Sequence, residues 1–254
     1  MKLINLVTLL LVGVLIPFTG RAESEVVDHS MWDSLLTEYV NHDGNVDYAR
    51  WKKADSRTLN RYLARMGGVD TESLGRDEKL AFWINVYNAL TVRGILEFYP
   101  LESIKEKVGR FGGFNIWDDY MVLLKGKEYS LNHIEHKILR VMGDPRIHFA
   151  IVCASRGCPR LRNEAYAGVT VDTQLQDNAL DFFRRVQNFR ADPARATVHL
   201  SSILKWFGED FGPDEAALRA RIVAWIEDPD ARALIEQETV KVRYLDYDWT
   251  LNKQ

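Results

Sequence analysis

The residues best equipped for chemistry fall in one short stretch, Cys153-Ala154-Ser155-Arg156-Gly157-Cys158-Pro159, with His148 just upstream. These are the only cysteines in the chain. Three chemistries fit the pattern. A disulfide would close a small loop in an oxidising compartment; a turn through Arg156-Gly157 would bring the Cα atoms within the ~7 Å that such a bond needs. A reactive thiol is the second. Arg156 and Arg160 flank Cys158, and nearby positive charge favours the thiolate. His148 would then be the base, with an Asn or Asp orienting it. Along an extended segment His148, Ala150 and Val152 share a face and Cys153 takes the other; Cys158, past its end, escapes that parity. The third is a metal held by His148, Cys153 and Cys158 with Glu135 and His136 or His133. Zinc sites announce themselves by tighter cysteine pairs repeated twice, so neither metal nor cofactor is expected.

Two further groups could support such a site. Asn85 and Asn88 lie three apart on the most apolar helical stretch, Phe82-Trp83-Ile84-Asn85-Val86-Tyr87-Asn88. A buried amide without partners costs roughly 1–3 kcal/mol. These two therefore either fix the path of a neighbouring loop or line a pocket, orienting a histidine or holding a carbonyl. Glu135 and His136 lie on a later helix. Glu135 beside Arg140 or Arg146 reads equally as an ion pair, and Asp210 as a cap or ion-pair partner. His29, His42 and His199 read as surface or turn residues, and Trp206, Phe207 and Phe211 as core.

The elements that must position these residues follow from hydrophobic periodicity. Helices are expected at Ser30 to Val40, Ser56 to Met66 before Gly67-Gly68, and Arg76 to Phe98, the last ended by Pro100. The segment 41–47 resembles a calcium loop in composition but lacks the EF-hand spacing and distal Glu, and reads as a turn. A Gly- and Phe-rich loop at 110–116 precedes a hairpin turning at Lys125-Gly126-Lys127. Ser130 caps the helix that carries Glu135. Ile147 to Cys153 reads as a buried strand. Helices follow at Thr173 to Val186, Ser202 to Phe207 and Asp214 to Ile226, with strands at Thr197 to Leu200 and Val240 to Tyr244. The sum is α+β: a helix-rich single domain over 23–254 with a small central β-sheet.

Residues 1–22 read as a secretory signal peptide. Lys2 gives a positive start, Leu3 to Phe18 an apolar run, and Gly20-Arg21-Ala22 a small-residue cleavage site. The run is short for a membrane span of roughly 20 residues, so the membrane is met only through this leader. A periplasmic or secreted location is therefore expected. The chain carries a net charge of −3, which gives no nucleic-acid footprint.

Four segments together resemble a known family: Lys79 to Leu90, Ser130 to Arg140, Asp144 to Pro159 and Tyr244 to Asn252. In this order they resemble the DUF547 domains of unknown function, as an exported bacterial member, from about residue 30 to 252. The resemblance implies a fold more than a reaction. Its pattern takes in Cys153, Cys158, His148, Asn85, Asn88, Glu135 and His136. The expectation is a thiol-dependent hydrolase or acyltransferase acting on an amide or ester of a small molecule or peptide. Cys158, His148, Asn85 and Asn88 would form the catalytic set, supported by Cys153, Glu135, His136 and Arg156. The alternative is a non-catalytic binding module with a structural Cys153–Cys158 disulfide.

Overall fold

The computed structural model describes residues 25–109 and 113–254. The expected leader, 1–22, and residues 110–112 of the expected loop lie outside them. Helices α2 (Tyr48–Ala54) and α3 (Ser56–Met66) pack against α4 (Arg76–Phe98), and α1 (Ser30–Tyr39) packs on α2 and α3. Helix α4 is apolar nearly all round and buried from Leu80 to Val92, as a helix enclosed on every side must be. The short helix α5 (Ile116–Asp119) leads into the hairpin of β1 (Met121–Leu124) and β2 (Lys127–Ser130). Lys125 and Gly126 both have positive φ there, 50° and 76°, the backbone that a two-residue hairpin turn requires.

A helical run follows, starting with α6 (Leu131–His133). Ser130 caps it by accepting from the His133 N–H. Its middle, Ile134–Leu139, widens to a π-helix, a local form frequent at functional sites. Later come α7 (Val171–Arg184) and a three-stranded sheet of β3 (Phe189–Asp192), β4 (Thr197–Leu200) and β5 (Lys241–Tyr244). In it β3 and β4 are antiparallel, β4 and β5 parallel. Helices α8 (Ser202–Trp206), α9 (Gly208–Phe211), α10 (Glu215–Ile222) and α11 (Pro229–Ile235) lie between β4 and β5. The fold is thus helix-rich α+β with small sheets, as expected. One apolar cluster surrounds α4 and a second joins Phe149, Phe182, Phe183 and Trp225 to the sheet. Among the described residues no helix is long and apolar enough to cross a membrane.

Two expectations need correction. Ile147 to Cys153 is not a strand: Pro145–Phe149 is a 3₁₀ turn capped by Asp144, and the chain then runs on without a ladder partner. Side-chain amides replace the ladder. Asn178 donates to the Phe149 carbonyl at 2.8 Å, and Asn88 takes both the Ala150 carbonyl and the Val152 N–H at 3.0 Å. Buried backbone groups need partners of some kind, and here helices supply them. His29 is not a surface residue either. It is 7% exposed, bonded through Nδ1 to the Tyr62 hydroxyl at 2.8 Å, and burial pushes its pKa down to about 4.

The loop before α7 is held by a close approach. The buried Glu78 accepts from the N–H groups of Val27 and Gly168 at 2.8 and 3.1 Å. A Cβ on Gly168 would lie 2.2 Å from Glu78 Oε2 and 2.9 Å from its Cα. Gly168→Ala is expected to lower stability by about 1–3 kcal/mol through this overpacking, read as a fall in urea midpoint with an unchanged denaturant slope.

Candidate functional site

The loop after Val152 is shaped by the C-terminal tail. Arg156 and Gly157 donate their N–H groups to the carbonyls of Thr250 and Asp248 at 2.8 and 2.9 Å, and Cys158 closes a turn onto the Ser155 carbonyl at 3.1 Å. This brings the Cα atoms of Cys153 and Cys158 to 6.3 Å, with their sulfurs at disulfide distance. Cys158 Sγ receives the Cys153 N–H at 2.9 Å, and the Tyr247 hydroxyl lies 3.1 Å from each sulfur. Ser155 Oγ donates to that hydroxyl at 3.0 Å. Neither flanking arginine lines the cleft that Cys158 shares with His148. Arg156 is exposed and Arg160 pairs with Asp177; both line a second, polar cavity that Cys158 and Pro159 also border.

His148 sits at the last turn before this loop, buried and stacked on Phe207 with ring centres 4.2 Å apart. Its Nε2 meets Asp210 Oδ2 at 2.7 Å. Asp210, on α9, also takes the Arg140 guanidinium through both oxygens at 2.6 and 2.7 Å. Burial pushes the Asp210 carboxyl up, but the hydrogen bonds from Arg140 and His148 outweigh it and hold the group below the usual carboxylate range. Burial also pushes the His148 pKa down, and the bond to Asp210 only partly opposes this. Arg140 reaches His136 Nδ1 at 3.2 Å. A guanidinium can only donate, so Nδ1 accepts and a neutral His136 carries its proton on Nε2.

Glu135 follows neither ion-pair reading. Arg140 is bound to Asp210 and Glu209, Arg146 to Asp144 and Asp172. The buried Glu135 carboxyl accepts instead from the Tyr87 hydroxyl at 3.1 Å, and burial pushes its pKa up to about 7. Such a carboxyl can give or take a proton near neutrality. Asn85 and Asn88 take the loop-fixing role. Asn85 bonds both the N–H and the carbonyl of Tyr166, at 2.9 and 2.8 Å, and Asn88 holds residues 150–152. Both amides are engaged with backbone, and neither lines the cleft.

That cleft encloses about 250 Å³. Glu135, His136, His148, Cys153 and Cys158 all line it, so five of the residues singled out from sequence converge. Its walls are aromatic: Trp117, Trp206, Phe207, Tyr247 and Trp249. Tyr247 and Trp249 pack at 4.5 Å, Trp206 and Tyr247 at 4.8 Å. Trp206 and Phe207, expected in the core, are wall residues instead, and Trp206 is 47% exposed. An apolar hollow with a few converging polar groups is the usual form of a small-molecule site. Among the described residues no group of three or more His, Cys, Asp or Glu side chains is placed to hold a metal ion.

The sequence reading missed Asp210 as the partner of His148, and it missed Tyr247 and Tyr87. Tyr247 and Trp249 lie in the fourth motif segment, Tyr244 to Asn252, which was the available signal. No curated protein matches the chain. No solved structure matches it either. Residues 71–183, a stretch holding both asparagines, Glu135, His136, His148 and both cysteines, match the family model described as "Protein of unknown function, DUF547", which supports the family read from the motifs.

Proposed function

We propose that the cleft is a site of thiol-dependent acyl chemistry, acting as a hydrolase or acyltransferase on an amide or ester. Cys158 is the nucleophile, His148 its base and Asp210 the group that orients the base. The observation that carries this is the Asp210–His148 pair in the same cleft as Cys158. A carboxylate only accepts, so the His148 proton stays on Nε2 and Nδ1 is left as a proton acceptor. Nδ1 takes the Cys158 proton, the sulfur attacks the acyl carbon, and His148 returns the proton to the departing amine or alcohol. The Cys153 N–H and the Tyr247 hydroxyl, the donors nearest Cys158 Sγ, stabilise negative charge there. The cycle requires separated sulfurs. A dithiol reductant opens a closed pair by supplying two electrons and two protons and becoming a disulfide itself.

A second reading is favoured by the sulfurs lying at disulfide distance. In it the closed pair braces one wall, and the aromatic cleft holds a small molecule or peptide without reacting. An exported location, which the leader motif suggests, favours closure. Alkylation of the purified natural protein before and after reduction, read by mass spectrometry, separates the two. The thiol reading expects Cys158 to label quickly near neutral pH once the pair is opened by mild reductant. A pair that resists mild reductant would replace it with the binding module.

A further inference from the structure

The outer face of the β3–β4–β5 sheet gathers positive charge that the fold does not answer. The strand register sets Arg190 beside His199 and His199 beside Arg243. Lys241, two residues before Arg243, shares its face of β5 and pairs in register with Thr197. Arg190, Lys241 and Arg243 are exposed. The described residues form no ion pair with any of the three; Asp192, the one carboxylate lining the hollow beside them, is bound to Arg195 at 2.8 Å. Asp192, Arg195, Thr197, His199, Lys241 and Arg243 enclose a depression of about 390 Å³, which shares no lining residue with the aromatic cleft. Lys241 and Arg243 thus line one hollow with no ion-pair partner for either, an arrangement that suits a bound anion.

We propose that this depression binds a phosphate group carried by a larger molecule. A guanidinium offers paired N–H donors that match two oxygens of one anion, and an ammonium adds a point charge. One arginine satisfies a carboxylate. A phosphate monoester brings nearly two charges and three acceptor oxygens, which suits Arg243 and Lys241 together with the ring of His199. The hollow also leaves room for what the phosphate is attached to. The same chemistry serves a soluble phosphorylated compound and the headgroup of an anionic lipid.

The whole protein would be titrated with pyrophosphate while the His199 ring protons are followed by NMR. In parallel it would be spun with phosphatidylglycerol or phosphatidylcholine vesicles. A saturable His199 shift without pelleting identifies a soluble ligand, and pelleting with phosphatidylglycerol alone identifies a lipid headgroup. Either response should weaken about tenfold or more in Lys241→Ser/Arg243→Ser, a loss of about 1.4 kcal/mol, and weaken as salt rises. Arg57→Ser, an exposed arginine elsewhere, should leave it unchanged. Thermal melting checks that the double variant is folded, with Arg243→Ser alone as the milder substitute. No His199 shift together with no pelleting would overturn the proposal, as would a response that a folded double variant retains in full.

Discussion

Asn88→Ala is expected to destabilise the protein by about 3 kcal/mol, because two buried backbone groups lose their partners at once, each at roughly 1–3 kcal/mol. The Asn88 amide accepts the Val152 N–H and donates to the Ala150 carbonyl, and all three residues are almost fully buried. No neighbouring strand can take over, since 150–152 has no ladder. For a chain of this size the loss corresponds to a fall of about 6–12 °C in Tm. Asn132→Ala, at the less buried rim of the cleft, should change Tm little. The two variants can be compared by calorimetry and by the urea midpoint. A fall below about 1 kcal/mol for Asn88→Ala would show that water enters and satisfies the freed groups. The same substitution should loosen the cleft, because 150–152 links His148 to Cys153.

The elements that sequence disclosed well are those whose signals are local. Helix α4 runs from Arg76 to Phe98 as read, because its apolar residues recur at helical spacing and Pro100 forbids continuation. Helix α3 ends as read at Met66, before Gly67. The hairpin was legible from Lys125-Gly126 for the same reason. Where the signal was ambiguous the reading failed. The run Ile147 to Cys153 has a strand's composition, but whether an apolar run joins a ladder depends on what packs beside it, here Asn88 and Asn178 from two helices distant in sequence. Helix α2, built around Tyr48 and Trp51, is too short to show a period.

The candidate site shows the same division. Cys153, Cys158 and His148 are near one another in the chain, and their chemistry could be weighed from residue type. Glu135 and His136 were legible as a polar pair on an apolar helix, but not the partner each would take. Asp210 and Tyr247 enter only through tertiary closure: α9 carries the carboxylate to His148, and the tail carries the hydroxyl to the sulfurs. Nothing in the spacing of residues 148, 158, 210 and 247 predicts that encounter. The asparagines mark the reverse case. Their types suit a pocket, yet their amides are engaged by backbone that would otherwise be unpaired.

Asp210→Asn separates orientation from packing, because the amide keeps the shape of the carboxylate and removes its charge. Two effects are expected. The first is on stability, since Arg140 and His148 both lose a charged acceptor. Removing one partner of a buried pair costs about 3–5 kcal/mol, and the partial exposure of Asp210 brings the expected figure to about 2 kcal/mol. The dependence on pH follows from His148. Its folded pKa lies below the ordinary value of about 6.5, so its neutral form contributes stability above that pH and the contribution is lost as pH falls. Without the carboxylate that pKa drops further, and the loss as pH falls below about 6.5 steepens. Asp210 itself, depressed in the native protein, contributes stability that fades only below about pH 4. Urea midpoints of both proteins at several pH values across that window check the sign. The second effect is on the thiol. In reduced protein, the variant should alkylate Cys158 with iodoacetamide at pH 7 at least about tenfold more slowly, because an uncharged amide no longer holds the proton on Nε2 or stabilises the imidazolium that forms when His148 takes the thiol proton. His148→Ala should reproduce the slowing without the steepened acid loss. If both variants alkylate at the native rate while remaining folded, the histidine does not act on the sulfur, and the cleft is left with the binding role that its aromatic walls and paired cysteines already suit.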